Sequence, residues 1–104
     1  MEIIHANREN FNSVISNDVV LVDFFANWCG PCKMLGPILE VLANDRSSVK
    51  IVKVDIDESM ELARQYGVMS VPTLLLFKDG NLVAQTTGFM PKNDLENWIN
   101  ERTN

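Results

Sequence analysis

The chain has 104 residues, of which 46% are hydrophobic and 22% charged, with a formal net charge of −5, a composition ordinary for one globular domain. That length buries a core without a disulfide framework, and an acidic balance with no Lys/Arg run interleaved with aromatics excludes the electrostatic footprint of a nucleic-acid binder. The opening "MEIIHANREN" has no basic stretch leading into a long apolar one, and no segment approaches the ~20 apolar residues that span a bilayer, so the expectation is a cytoplasmic chain with no membrane contact.

No internal repeat, low-complexity tract or linker interrupts the sequence, which predicts a single domain over residues 1–104. In "NRENFNSVIS", Phe11, Val14 and Ile15 recur at i, i+3 and i+4, the spacing of a short amphipathic helix. "VVLVDFFA" (19–26) is a nearly unbroken apolar run rich in β-branched and aromatic residues, as expected of a strand covered on both faces. "WCGPC" (28–32) follows at once and holds both cysteines.

Beyond Cys32, Leu35, Ile38, Leu39 and Leu42 keep the helical period. Pro31 suits the first turn, where its missing N–H would be unpaired anyway. Pro37 lies inside the helix, removes one hydrogen bond and predicts a kink. "VKIVKVDI" (49–56) reads as a second strand, and "SMELARQYG" as a short helix closed by Gly67. "TLLLF" and "LVAQTTG" flank "KDGN", a hairpin signal. Pro91 opens a last helix with Leu95, Trp98 and Ile99 on one face. This order predicts an α/β fold, a mixed sheet with helices on both faces.

A strand running into "CGPC" and then a helix puts Cys29 at a helix N-terminus, where free N–H groups and the positive end of the dipole favour a thiolate. Closing so short a loop constrains the unfolded chain very little, which argues against a structural staple. The pattern suits thiol–disulfide exchange. An exposed Cys29 attacks a substrate disulfide, and Cys32, one turn in and facing the core, resolves the mixed disulfide. Gly30 lets backbone approach closely, and Pro31 limits the freedom of the loop. Trp28 reads either as a core aromatic or as part of a substrate-facing rim.

Asp23 stands in the apolar run, so either strand face buries it and raises its pKa. Two roles stay open for it: proton acceptor for Cys32, or a structural carboxyl paired elsewhere. Lys53 shares a strand face with Ile51 and Asp55 by parity, and is either the partner of Asp23 or solvated. Pro72 precedes a buried strand, and the rarity of cis X–Pro bonds favours trans there.

A non-catalytic binding module is the competing class, and it differs in expecting Cys29→Ser to leave function intact. Two thiolates are half of a tetrahedral metal set, and His5 lies far off in sequence, so a metal site would need two chains. His5 reads as a surface or strand-edge residue. The five methionines read as gap-fillers of the core, Met69 excepted. Asp55, Asp57 and Glu58 lack a calcium-loop pattern and read as a solvated loop and helix start.

Taken together, "VDFFANWCGPCKMLGPILE", "KVDID", "YGVMSVPTLLLFKDG" and "TTGF" resemble the thioredoxin family over nearly the whole chain. The resemblance implies that family's fold, a central mixed five-stranded sheet flanked by four helices. It implies that Cys29 is the nucleophile, Cys32 the resolving thiol, Asp23 the buried acid/base, Lys53 its neighbour and Pro72 a cis-proline facing the cysteines. Trp28, Gly30, Pro31, Met69, Ser70, Val71 and Gly88 would line the substrate groove. Further implications are a monomer acting as protein-disulfide reductase on disulfide-containing proteins, with no bound cofactor or metal. A flavoprotein thioredoxin reductase using NADPH would reduce it. Phe25, where many bacterial members carry a second tryptophan, and Met69-Ser70 depart from the family pattern and bear on partner preference.

Overall fold

The computed structural model describes residues 3–46 and 48–103. Along them run β1 (Ile4–His5), α1 (Phe11–Val14), β2 (Val19–Phe25), α2 (Gly30–Asp45), β3 (Val49–Asp55), α3 (Met60–Gln65), β4 (Thr73–Lys78), β5 (Asn81–Thr87) and α4 (Lys92–Thr103). The strands form one sheet in the order β1-β3-β2-β4-β5. β3 is parallel to β1 and β2, whereas β4 is antiparallel to β2 and β5. Parallel neighbours need a crossover and antiparallel ones only a turn, so α2 links β2 to β3 and a tight turn links β4 to β5.

β2 lies at the centre, and its side chains alternate between two cores. Val20, Val22 and Phe24 pack with Phe11 of α1 and with Leu62 and Ala63 of α3. Leu21 packs on the other face with Leu35, Leu39 and Leu42 of α2 and Leu95 and Ile99 of α4. Both sheet faces are therefore covered, and a polar side chain in β2 has no solvated side to choose.

The turn chemistry follows the sequence. Asp79 and Gly80 both have positive φ, 51° and 84°, as a two-residue type I′ hairpin requires. Gly67, with φ 67°, ends α3. α2 continues through Pro37 to Asp45. Pro91 stands just ahead of α4, its carbonyl accepting from the Leu95 N–H at 3.0 Å.

β1 shows no readable periodicity because it is two residues long; His5 is its exposed end, on a sheet edge. The expectation of core-filling methionines needs correction for Met34 and Met60, both exposed, because each occupies a solvent-facing helix position; Met69, set apart in that expectation, is exposed as well. Met90 does pack against the α2/α4 core, and Met1 lies outside the described residues.

Candidate active site

Cys29 is the N-cap of α2, in extended conformation, and Pro31 falls in the first turn. The strand-to-helix junction thus presents unpaired backbone donors to sulfur. The Cys32 N–H points at the Cys29 Sγ, 3.2 Å away. Cys29 and Cys32 are joined by a disulfide in this structure. A helix N-terminus with that N–H aimed at the sulfur is a place that favours an anion.

Cys29 is not exposed as the sequence suggested: it is 5% accessible and Cys32 4%. Cover comes from Ala26, Phe25, Ile56 and Val71, which pack around both. The Cys29 Sγ lies 3.6 Å from the Val71 carbonyl oxygen, so a loop forty-odd residues away in sequence closes the side that local spacing left open. Val71-Pro72 is a cis peptide bond, as the family resemblance implies and against the base rate for such bonds. The Pro72 carbonyl accepts from the Gly88 N–H at 2.8 Å, so Gly88, Pro72, Val71 and the disulfide form one contiguous surface.

Trp28 is not a core aromatic: it is 67% exposed, with its indole N–H donating to the Asp57 carboxylate at 2.9 Å. Met69 is 97% exposed, and Ser70, also exposed, accepts through its carbonyl from the Thr73 hydroxyl at 2.6 Å. Gly30 is exposed beside the cysteines, with nothing within 4 Å of where a Cβ would stand.

Asp23 is fully buried, and neither carboxylate oxygen has a hydrogen-bond partner among the described residues. It shares the α2-facing side of β2 with Leu21 by alternation. Burial pushes its pKa up to about 7, with the nearby Lys53 charge pulling in the opposite direction. Lys53 is its cross-strand neighbour on β3, and its ammonium sits 4.5 Å from the centroid of the Phe25 ring. A cleft of about 140 Å³ lined by Phe25, Cys32, Lys33, Gly36 and Lys53 opens beside this group. Asp55 and Asp57 cap the end of β3, where the Asp57 N–H donates to the Asp55 carboxylate at 2.9 Å. Among the described residues no group of three or more His, Cys, Asp or Glu side chains is placed to hold a metal ion.

The arrangement joins a redox-active cysteine pair at a helix N-terminus to a proline loop across from it. The family model described as Thioredoxin matches residues 2–101. The chain belongs to the thioredoxin family. It is 49% identical to the thioredoxin of Bacillus subtilis over 102 residues, covering 97% of this chain and 98% of that one. The thioredoxin of Chlamydia pneumoniae is 56% identical over 93 residues, 89% and 91% of the two chains. A mutant thioredoxin from Halobacterium salinarum NRC-1 superposes with a TM-score of 0.92 at 42% identity, covering 99% of this chain and 92% of that one.

Thioredoxin homologues are disulfide oxidoreductases, and this chain is accordingly a thioredoxin-type oxidoreductase that cycles between dithiol and disulfide through Cys29 and Cys32. The family needs no bound cofactor and generally acts on disulfide substrates. No helix among the described residues is long and apolar enough to cross a membrane.

Proposed function

We propose that the chain, as a single thioredoxin domain over residues 1–104, works as a general protein-disulfide reductase with a division of labour inside the motif. The carrying observation is the Cys29–Cys32 disulfide at the start of α2 with the buried, unpartnered Asp23 behind it. In the reduced protein the Cys29 thiolate attacks one sulfur of a substrate disulfide. The substrate S–S bond breaks, a mixed disulfide forms, and the first substrate thiolate leaves. Cys32 then loses its proton to the Asp23 carboxylate and attacks the Cys29 sulfur. The second substrate thiolate departs, the substrate has gained two electrons, and the intramolecular disulfide is formed.

Helix geometry favours Cys29 as the attacking group, since it is the N-cap and Cys32 supplies its N–H to it. A substrate strand lies against Trp28, Met69, Ser70, Val71 and Gly88, with Gly30 and Pro31 keeping the approach to Cys29 low, and Pro72 holding the loop opposite the sulfurs. Lys53 tunes Asp23 by its charge. Electrons return from NADPH through a flavoprotein thioredoxin reductase, and the chain acts as a cytoplasmic monomer.

Trapping distinguishes the roles. Cys29→Ser should abolish turnover of a protein disulfide, whereas Cys32→Ser should accumulate mixed disulfides visible by non-reducing electrophoresis and mass spectrometry. Retained activity in Cys29→Ser, or mixed disulfides that form through Cys32, would overturn the assignment. Titration against glutathione buffers checks the direction of electron flow; a potential at or above that of the glutathione couple would make the chain an oxidant or isomerase.

A further inference from the structure

Lys53 and Asp23 are aligned across the β2/β3 ladder, yet they form no ion pair within 4 Å among the described residues and both Asp23 oxygens stay empty. A buried carboxylate beside a flexible ammonium should draw it in, since charge-assisted hydrogen bonds are the strong ones. The ammonium instead stands 4.5 Å from the Phe25 ring centroid, within the range of a cation–π contact. Phe25 is two residues beyond Asp23 on β2, so both side chains leave the strand on one face.

Gly36 of α2 completes the seat. A Cβ there would lie 4.0 Å from the Lys53 Nζ, an ordinary van der Waals contact, so Gly36 borders the ammonium without crowding it. Glycine weakens a helix interior relative to alanine, and here it stands directly before Pro37, where the helix already lacks a donor.

We propose that Phe25 is a positioning residue that seats the Lys53 ammonium over its ring and off the Asp23 carboxylate. The consequence for the reaction rests on the reading of Asp23 as proton carrier: a carboxylate bound to Lys53 would stay ionised over the working pH range and could not return its proton, whereas an empty one exchanges it. The charged and titratable groups on this side are few. β3 contributes Lys53 and Asp55, and α2 contributes Cys32 and Lys33. β4 presents Leu74 and Leu76 there, and α4 presents Leu95 and Ile99, none of which titrates.

The test is a carboxyl carbon-13 titration of Asp23 in the full oxidised chain, with the Lys53 ε-CH₂ proton shifts read in parallel. In the wild type the ε-protons should be displaced upfield by the ring. In Phe25→Leu that displacement is lost and the Asp23 titration falls by about one pH unit as Lys53 moves onto the carboxylate; Phe25→Trp keeps both near wild type. In a Lys53→Gln background Phe25→Leu should leave the Asp23 titration where Lys53→Gln alone puts it.

An Asp23 titration that is unmoved or raised in Phe25→Leu overturns the proposal, as does a fall of equal size in the Lys53→Gln background. If Phe25→Leu does not fold, a Phe25→Trp chain whose Asp23 titrates clearly below wild type overturns it too. The rate of mixed-disulfide resolution separates the two readings. A shifted titration with an unchanged rate–pH profile upholds the seating of Lys53 and removes the proton-carrier role of Asp23.

Discussion

The Trp28 indole N–H donates to the Asp57 carboxylate at 2.9 Å, so an exposed aromatic next to Cys29 is held in one orientation by a residue just past the end of β3. An exposed ring is otherwise free to change rotamer on the nanosecond scale. The hydrogen bond fixes the ring beside the cysteine pair, and it does so without burying the tryptophan.

Asp57→Ala should therefore leave the fold intact and loosen the ring. Loss of this exposed hydrogen bond predicts faster solvent exchange of the Trp28 indole N–H by NMR. Stability should change by no more than ~0.5 kcal/mol, as for other surface substitutions. The second-order rate constant with a protein disulfide should fall several-fold. An unchanged indole exchange rate would show that Asp57 does not restrain the ring.

Gly88 carries φ +94° and donates to the Pro72 carbonyl at 2.8 Å. Nothing lies within 4 Å of where its Cβ would be, so Gly88→Ala meets only the backbone penalty of the left-handed region, about 1–2 kcal/mol. For a domain of this size each kcal/mol lowers Tm by roughly 4–8 °C. Calorimetry should find that loss together with slower reaction with protein substrates, while small disulfides, which need no groove, react at the wild-type rate. A fully stable Gly88→Ala would mean that the loop readily adopts another conformation.

What the sequence disclosed depends on the range of the interaction involved. The burial of Asp23 was legible because period-two alternation with apolar residues on both faces left no solvated direction. The Cys29-Gly30-Pro31-Cys32 junction was legible because strand, cap and first-turn proline are all local signals. Trp28 stayed ambiguous because an amphipathic ring suits core and surface equally, and only the assembled fold shows it exposed. The near-equal burial of Cys29 and Cys32 was hidden, since it depends on Val71, which reaches the sulfur only after the whole sheet has assembled. β1 was missed for a related reason: its two residues pair with Val52 and Lys53 and acquire their strand conformation from that partner rather than from their own pattern. Lys53 was undecidable by parity, and its seat on Phe25 is visible only where β2, β3 and α2 converge.

Asp23 makes the stability of the oxidised chain depend on pH in a predictable direction. Burial raises its pKa from 3.8 to about 7 in the folded chain, against a smaller opposing effect of Lys53, while the unfolded chain keeps the ordinary value. Between those two values the folded state holds a proton that the unfolded state has lost, so stability falls as pH rises. The contribution is most favourable below about pH 4, declines through the interval up to about 7 and is flat above it. A full separation of that size corresponds to roughly 4 kcal/mol, an upper figure because water reaching the cleft would soften it. Asp23→Asn resembles the protonated side chain in shape and cannot ionise. Denaturant unfolding should give Asp23→Asn and wild type similar stabilities near pH 4 and below, with the variant progressively more stable up to about pH 7 and the difference constant above it. A difference that stays constant from pH 4 to 8 would show that the buried carboxyl titrates as it does in the unfolded chain, and would remove it as a proton acceptor poised near neutrality.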